Sequence, residues 1–167
     1  MKPYLFLLVT SLSLGSTATR ATEIAPDINV KLKVYRVVEH TKGRVELTPT
    51  TTAKPGDVLE YRSEYMNRGD QTARGLVGRL PIPEGQLEYI ADPKSDTRLR
   101  ASVDGKHYEA LPLMRTVIQA DGAQVQQAIP FTEYRFLAWD LGDLPRHGQA
   151  TTTARLRMLD STSNGKE

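Results

Sequence analysis

Residues 54–70, KPGDVLEYRSEYMNRGD, decide the fold class. From Leu59 to Tyr65 the side chains Leu59, Tyr61, Ser63 and Tyr65 alternate with Glu60, Arg62 and Glu64. Successive side chains of an extended chain point to opposite faces, so this period of two reads as a strand with a core side and a solvated side. Turn chemistry brackets it at both ends. Lys54-Pro55-Gly56-Asp57 supplies a proline that fixes φ and a glycine that tolerates conformations other residues resist, and Asn67-Arg68-Gly69-Asp70 closes the strand.

The pattern extends in both directions. Between Ile28 and Val38, Val30, Leu32 and Val34 alternate with Lys31, Lys33 and Tyr35, which predicts a half-buried strand with its valines and leucine inward. Val45 and Leu47 flank Glu46, and Thr48 to Thr52 is a β-branched polar run suited to a sheet edge. Ala73 to Leu80 reads as a strand in which Gly75 and Gly78 mark a bulge or a close backbone approach. Pro81 and Pro83 each remove a donor, so Pro81-Ile82-Pro83-Glu84-Gly85 reads as a bend where the chain changes sheets.

Leu87 to Ile90 and Leu99 to Val103 follow as short strands, and Asp104-Gly105 predicts a two-residue hairpin into Lys106 to Tyr108. Glu109 to Pro130 is broken by Pro112 and Gly122 and diluted by glutamines, and is expected to be a loop with one ragged strand. Thr132 to Leu141 is apolar on both faces, as a central strand covered on both sides is, with Trp139 as a core anchor. A last strand, Thr151 to Leu159, sets Ala154, Leu156 and Met158 inward and points Arg155 and Arg157 to water. No stretch carries a helical stripe. The expectation is an all-β, immunoglobulin-like two-sheet sandwich of about seven to eight strands.

The ends read differently. Lys2, the apolar run Tyr4 to Leu14 and the small residues before Thr22 have the form of a signal peptide over 1–21, cleaved on export. The run is too short and too interrupted by Thr10, Ser11 and Ser13 to span a bilayer, so no membrane span is expected after cleavage. An extended leader at 22–27, a folded unit at 28–159 and a disordered tail at 160–167 complete the division. Cleavage removes Lys2 and Arg20 and leaves 20 basic against 20 acidic residues. A neutral, mixed surface lacks the field that holds a phosphate backbone, which argues against nucleic acid as a partner. The chain has no cysteine, so thiol nucleophiles, thiolate metal sites and stapling disulfides are excluded together.

Pro55-Gly56-Asp57, Tyr61 with Tyr65, Asn67-Arg68-Gly69 and Pro83-Glu84-Gly85 occur in an order that resembles the bacterial conserved-repeat domain, an immunoglobulin-like module known as domain of unknown function number eleven. Ser102-Val103-Asp104-Gly105 and Leu137 to Leu144 look like the second half of that family's pattern. Many relatives look like tandem arrays, whereas this chain holds one such unit. The resemblance implies the sandwich fold, a place outside the cytoplasm and adhesive or scaffolding roles, and it carries over no catalytic residue.

Chemistry-bearing residues are scattered. His40, His107 and His147 fall in or beside turns far apart in sequence, and read as exposed turn residues in preference to a shared metal site. No Gly-x-Ser-x-Gly elbow, phosphate-cradling loop or Asp-x-Asp calcium loop is present, and no catalytic, cofactor-binding or metal residue is assigned. Arg68-Gly69-Asp70 matches an integrin-recognition tripeptide but is also an ordinary strand turn. Tyr35, Tyr89 and Tyr108 are the candidates for an exposed aromatic platform, with Tyr61, Tyr65 and Trp139 assigned to the core or a sheet edge.

Two functions follow as expectations. The first is an exported, non-enzymatic interaction or structural module of the bacterial cell envelope, periplasmic or secreted. It would bind a protein partner through the Thr48 to Thr52 edge or the Glu109 to Pro130 loop and use no cofactor. The second is a carbohydrate-binding accessory domain built on the tyrosines.

Overall fold

A computed structural model describes residues 26–41, 43–84, 86–91 and 98–160. The expected signal peptide, most of the leader and nearly all of the tail lie outside the described residues, as does Gly85 of the Pro-Glu-Gly bend. The regular structure of the described chain is almost entirely strand: β1 (Ile28–Glu39), β2 (Val45–Pro49), β3 (Val58–Asn67), β4 (Ala73–Pro81), β5 (Leu87–Ile90), β6 (Leu99–Ser102), β7 (Glu109–Ala110), β8 (Met114–Ile118), β9 (Gln124–Ala128), β10 (Phe136–Leu144) and β11 (Gln149–Met158). One 3-10 turn, Phe131–Glu133, leads into β10. Among the described residues no helix is long and apolar enough to cross a membrane.

Two antiparallel sheets enclose the core, in the orders β2-β1-β3-β11-β5 and β4-β10-β6-β7. Leu59, Leu87, Tyr89, Ala154 and Leu156 of the first sheet pack against Leu80, Leu99, Ala101, Leu137 and Trp139 of the second in one buried cluster. Trp139 is fully buried, as its place on a central strand requires. The chain crosses from the second sheet to the first between β4 and β5, at the two prolines that cannot donate to a ladder.

Gly78 shows why a glycine stands in mid-strand. A Cβ there would lie 2.4 Å from the Tyr65 hydroxyl oxygen, so β4 is seated directly over β3 through this contact. Gly75 (φ +59°) donates its N–H to Asp143, opposite the bulges that interrupt the β4–β10 register between Asp140 and Leu144. Both close approach and bulge therefore occur on this strand.

Several expectations need correction. The described residues hold eleven strands, because the Glu109 to Pro130 region is not a loop: β7 joins the second sheet, and β8 and β9 form a regular hairpin with Val117 opposite Val125. Lys106 to Tyr108 is not a strand either. β6 pairs with β7 across a wider turn, since the Asp104 carboxylate draws in the N–H groups of Lys106 and His107 (2.8 and 2.9 Å). Glu60, expected in water, is only 6% exposed, and its neighbour Arg155 is drawn onto it. The largest departure is in β1, where Val30 and Leu32 face inward by register, opposite buried Tyr65 and Ser63, yet are each 52% exposed.

Candidate functional site

The ionisable groups do not converge. His40 meets Glu46 at 2.8 Å, His107 meets Asp104 at 2.6 Å and His147 stands 3.8 Å from Asp70, each at a separate turn. Among the described residues no three His, Cys, Asp or Glu side chains are placed to hold a metal ion.

One cluster has the composition of a catalytic triad and escaped the sequence reading. Ser102 Oγ donates to Asp104 Oδ1 at 2.9 Å, and Asp104 Oδ2 meets His107 Nδ1 at 2.6 Å. The order is wrong for nucleophile activation, which needs the imidazole between serine and carboxylate. Here the carboxylate is in the middle and Ser102 is buried, its oxygen occupied by the N–H groups of Asp104 and Gly105. The cluster is a clamp on the β6–β7 turn. Hydrogen bonds from the His107 backbone, the His107 ring and the Lys106 backbone hold the Asp104 carboxyl far below the usual carboxylate range, and Asp104 in turn raises the His107 pKa. The signal was present in sequence as Ser102-x-Asp104-x-x-His107, a spacing that places all three on one turn.

Arg68-Gly69-Asp70 is likewise explained by its turn. The side chain of Asn67, fully buried, donates through Nδ2 to the carbonyls of Gln71 (2.7 Å), Leu144 (3.0 Å) and Pro145 (3.0 Å) and accepts from Gly69 N–H (3.0 Å). One amide thereby ties the β3–β4 connection to the β10–β11 connection.

The outer face of the first sheet is a charge ladder. Buried Glu60 is held between Arg62 (2.7 Å) and Arg155 (3.3 Å), Arg62 lies over the Tyr35 ring at 5.3 Å, and Lys33 pairs with Glu64 at 2.6 Å. These groups pair with one another along β3 and with its neighbours β1 and β11, leaving Arg62 Nε as a buried donor with no partner among the described residues. The tyrosine platform does not assemble. Tyr89 is buried, stacked on Tyr134 at 6.2 Å and edge-on to Phe131, while Tyr35 lies on the first sheet and Tyr108 lies beneath Arg79 of the second.

What remains exposed is apolar strand. The β8–β9 hairpin belongs to neither sheet and carries Ile118 (69% exposed) and Met114 on one face. It is fixed at its base: Leu113 is buried, its N–H donates to the Tyr134 hydroxyl at 2.7 Å, its carbonyl accepts from Ile129, and Arg115 pairs with Glu133. At the other predicted contact region, the edge strand β2 takes in only Thr48 and Pro49 of the expected Thr48 to Thr52 run, and Thr50 to Thr52, past its end, line a hollow of about 250 Å³ with Val34, Leu59, Tyr61 and Met158. Family models, curated proteins and solved structures were all compared with the chain, and none matches.

Proposed function

We propose that this chain is an exported, non-enzymatic immunoglobulin-like module of the bacterial envelope that binds a protein partner through the β8–β9 arm. The observation that carries the reading is the arm itself. An isolated two-stranded hairpin is marginal in water and gains nothing from presenting an isoleucine and a methionine to solvent. Here it is nonetheless built on a buried anchor, the Leu113–Tyr134 hydrogen bond. A stable base under an exposed apolar tip is the form of a contact element, and strand backbone that pairs with no further strand among the described residues adds main-chain donors and acceptors on both of its edges. The signal-like N-terminus and a motif order that resembles the conserved-repeat domain support export and the immunoglobulin-like class.

The test is crosslinking of the mature protein in native envelopes, comparing the unaltered chain with one in which residues 114–128 are replaced by a short Gly-Ser linker and with Ile118→Asp. Leu113 and Ile129 stay in place, so the sandwich should keep its thermal transition. A crosslinked protein partner lost in both variants supports the reading; a partner set unchanged by either removes the arm from it.

A further inference from the structure

We infer that the open edge of β4, together with the half-exposed Val30 and Leu32 on the inner face of β1, is an acceptor site for an extended, apolar and acidic segment of another protein, which would add to the second sheet as a fifth strand. The first step is the lateral offset of the sheets. β4 is the outermost strand of its sheet and sits over β3 through the Gly78–Tyr65 contact, and the next strand in each sheet, β10 and β11, are also in contact. A strand added on the far side of β4 would therefore lie over β1. That is where Val30 and Leu32 face inward by register and stay half exposed.

The backbone is ready to pair. Ile82 donates its N–H to Arg135 on the β10 side, and polar groups alternate in direction along a strand, so Leu80 and Gly78 face β10 while Arg79 and Val77 direct N–H and C=O to the open side. Both residues are exposed. An incoming strand would gain main-chain hydrogen bonds from this edge and would place alternate side chains on Val30 and Leu32.

Charge selects the occupant. β4 carries Arg74 and Arg79 and no acidic residue; Arg79 lies over the Tyr108 ring, and among the described residues neither arginine has a carboxylate partner. Pairing β4 with its own copy would bring these arginines together, which is unfavourable. Within this chain, residues 161–167 (STSNGKE) contain no apolar side chain to cover Val30 and Leu32. The chemistry that fits is an alternating segment, apolar toward the core and carboxylate toward Arg79.

The probe is a nine-residue peptide of alternating Val and Glu, with alternate backbone amides N-methylated so that one edge alone can pair. With the mature protein, the expected result is slowed hydrogen exchange at the Val77 and Arg79 amides and shifted methyl resonances of Val30 and Leu32. Val77→Pro, which removes an outward N–H, should abolish binding, and Leu32→Ser, at a half-exposed site, should weaken it roughly tenfold. Replacing Glu by Lys in the peptide should abolish it. The site differs from the arm, so the chain lacking residues 114–128 should bind the peptide equally well, and either reading can fail alone. No protection at millimolar peptide overturns the inference. So does equal protection by a peptide with its valines and glutamates in two blocks, or loss of binding with the arm. Protection of Val77 that rises with protein concentration in the absence of peptide assigns the edge to a second copy and overturns it too.

Discussion

Asn67→Asp is the most discriminating single change in this fold, because it alters one atom's chemistry and keeps the shape. The native amide feeds three carbonyls, those of Gln71, Leu144 and Pro145, from a fully buried position. Truncation in Asn67→Ala removes about two hydrogen bonds' worth of donors and strands buried acceptors, a cost of about 2–4 kcal/mol. For a domain of this size that lowers Tm by about 6–12 °C.

Asn67→Asp removes the same donors and adds an ionised carboxylate facing carbonyl oxygens, with only the Gly69 N–H to welcome it. It should cost at least about 1 kcal/mol more than alanine at neutral pH. Burial raises the folded-state pKa of the new carboxyl above its unfolded value, so the folded state binds the extra proton in the window between them. The variant's deficit relative to the native chain should then be largest above the folded pKa and shrink as pH falls toward the unfolded value near about 3.9. Thermal unfolding of all three proteins from pH 7 down to pH 4, followed by circular dichroism and read as differences from the native chain, checks both parts. An alanine variant within about 0.5 kcal/mol of native would show that the amide does not hold the two turns together. A deficit in Asn67→Asp that grows on acidification would refute the burial argument.

Two further changes test the sheet offset and the turn clamp. Gly78→Val should destabilise the sandwich by about 2–4 kcal/mol, since its Cβ would meet the Tyr65 hydroxyl and ring at 2.4 and 2.8 Å, and Tyr65→Ala in the same chain should recover part of the loss; additive losses in the double-mutant cycle would deny the contact. His107 has its folded pKa raised above 6.5 by Asp104, so whatever it adds to stability is complete below 6.5 and lost as pH rises through the folded value. Asp104 has its pKa lowered, and its contribution is complete above 3.8 and lost as pH falls toward the folded value. Proton NMR titration should show the His107 midpoint falling toward 6.5 in Asp104→Asn, and an unmoved midpoint would break the pairing.

The residues that announced the fold were those whose burial depends on their own strand. Alternation in Leu59 to Tyr65 placed an inward face, and the doubled prolines at 81 and 83 placed the sheet change, because each follows from local backbone chemistry. The misses depend on partners distant in sequence. Glu60 is buried because Arg155, on a strand ninety-five residues later, comes to lie beside it. The β8–β9 hairpin hid because glutamines replace the apolar members of its pattern, and its turn, with Gly122 at φ +84°, looked like the interruption of a loop. Ser102, Asp104 and His107 were legible as a spacing, but their roles required knowing that Ser102 is buried and its oxygen already occupied.

Val30 and Leu32 show the limit most clearly. Period two states which side of a sheet a residue occupies; whether that side is covered depends on how the opposing sheet is set across it, and no window of sequence contains that quantity. In this fold the setting is made by the smallest side chain available, at Gly78, pressed against one of the larger ones, at Tyr65. That contact draws β4 over β3, where the second sheet ends, and the Val30 to Leu32 stretch of β1 beyond it stays half exposed. Exposure of two inward-facing apolar residues is then the geometric consequence of a tightly packed neighbouring row. Recruiting an extra strand would cover them without repacking the core, whereas burying them by sliding the second sheet would first require Gly78 to leave the Tyr65 ring.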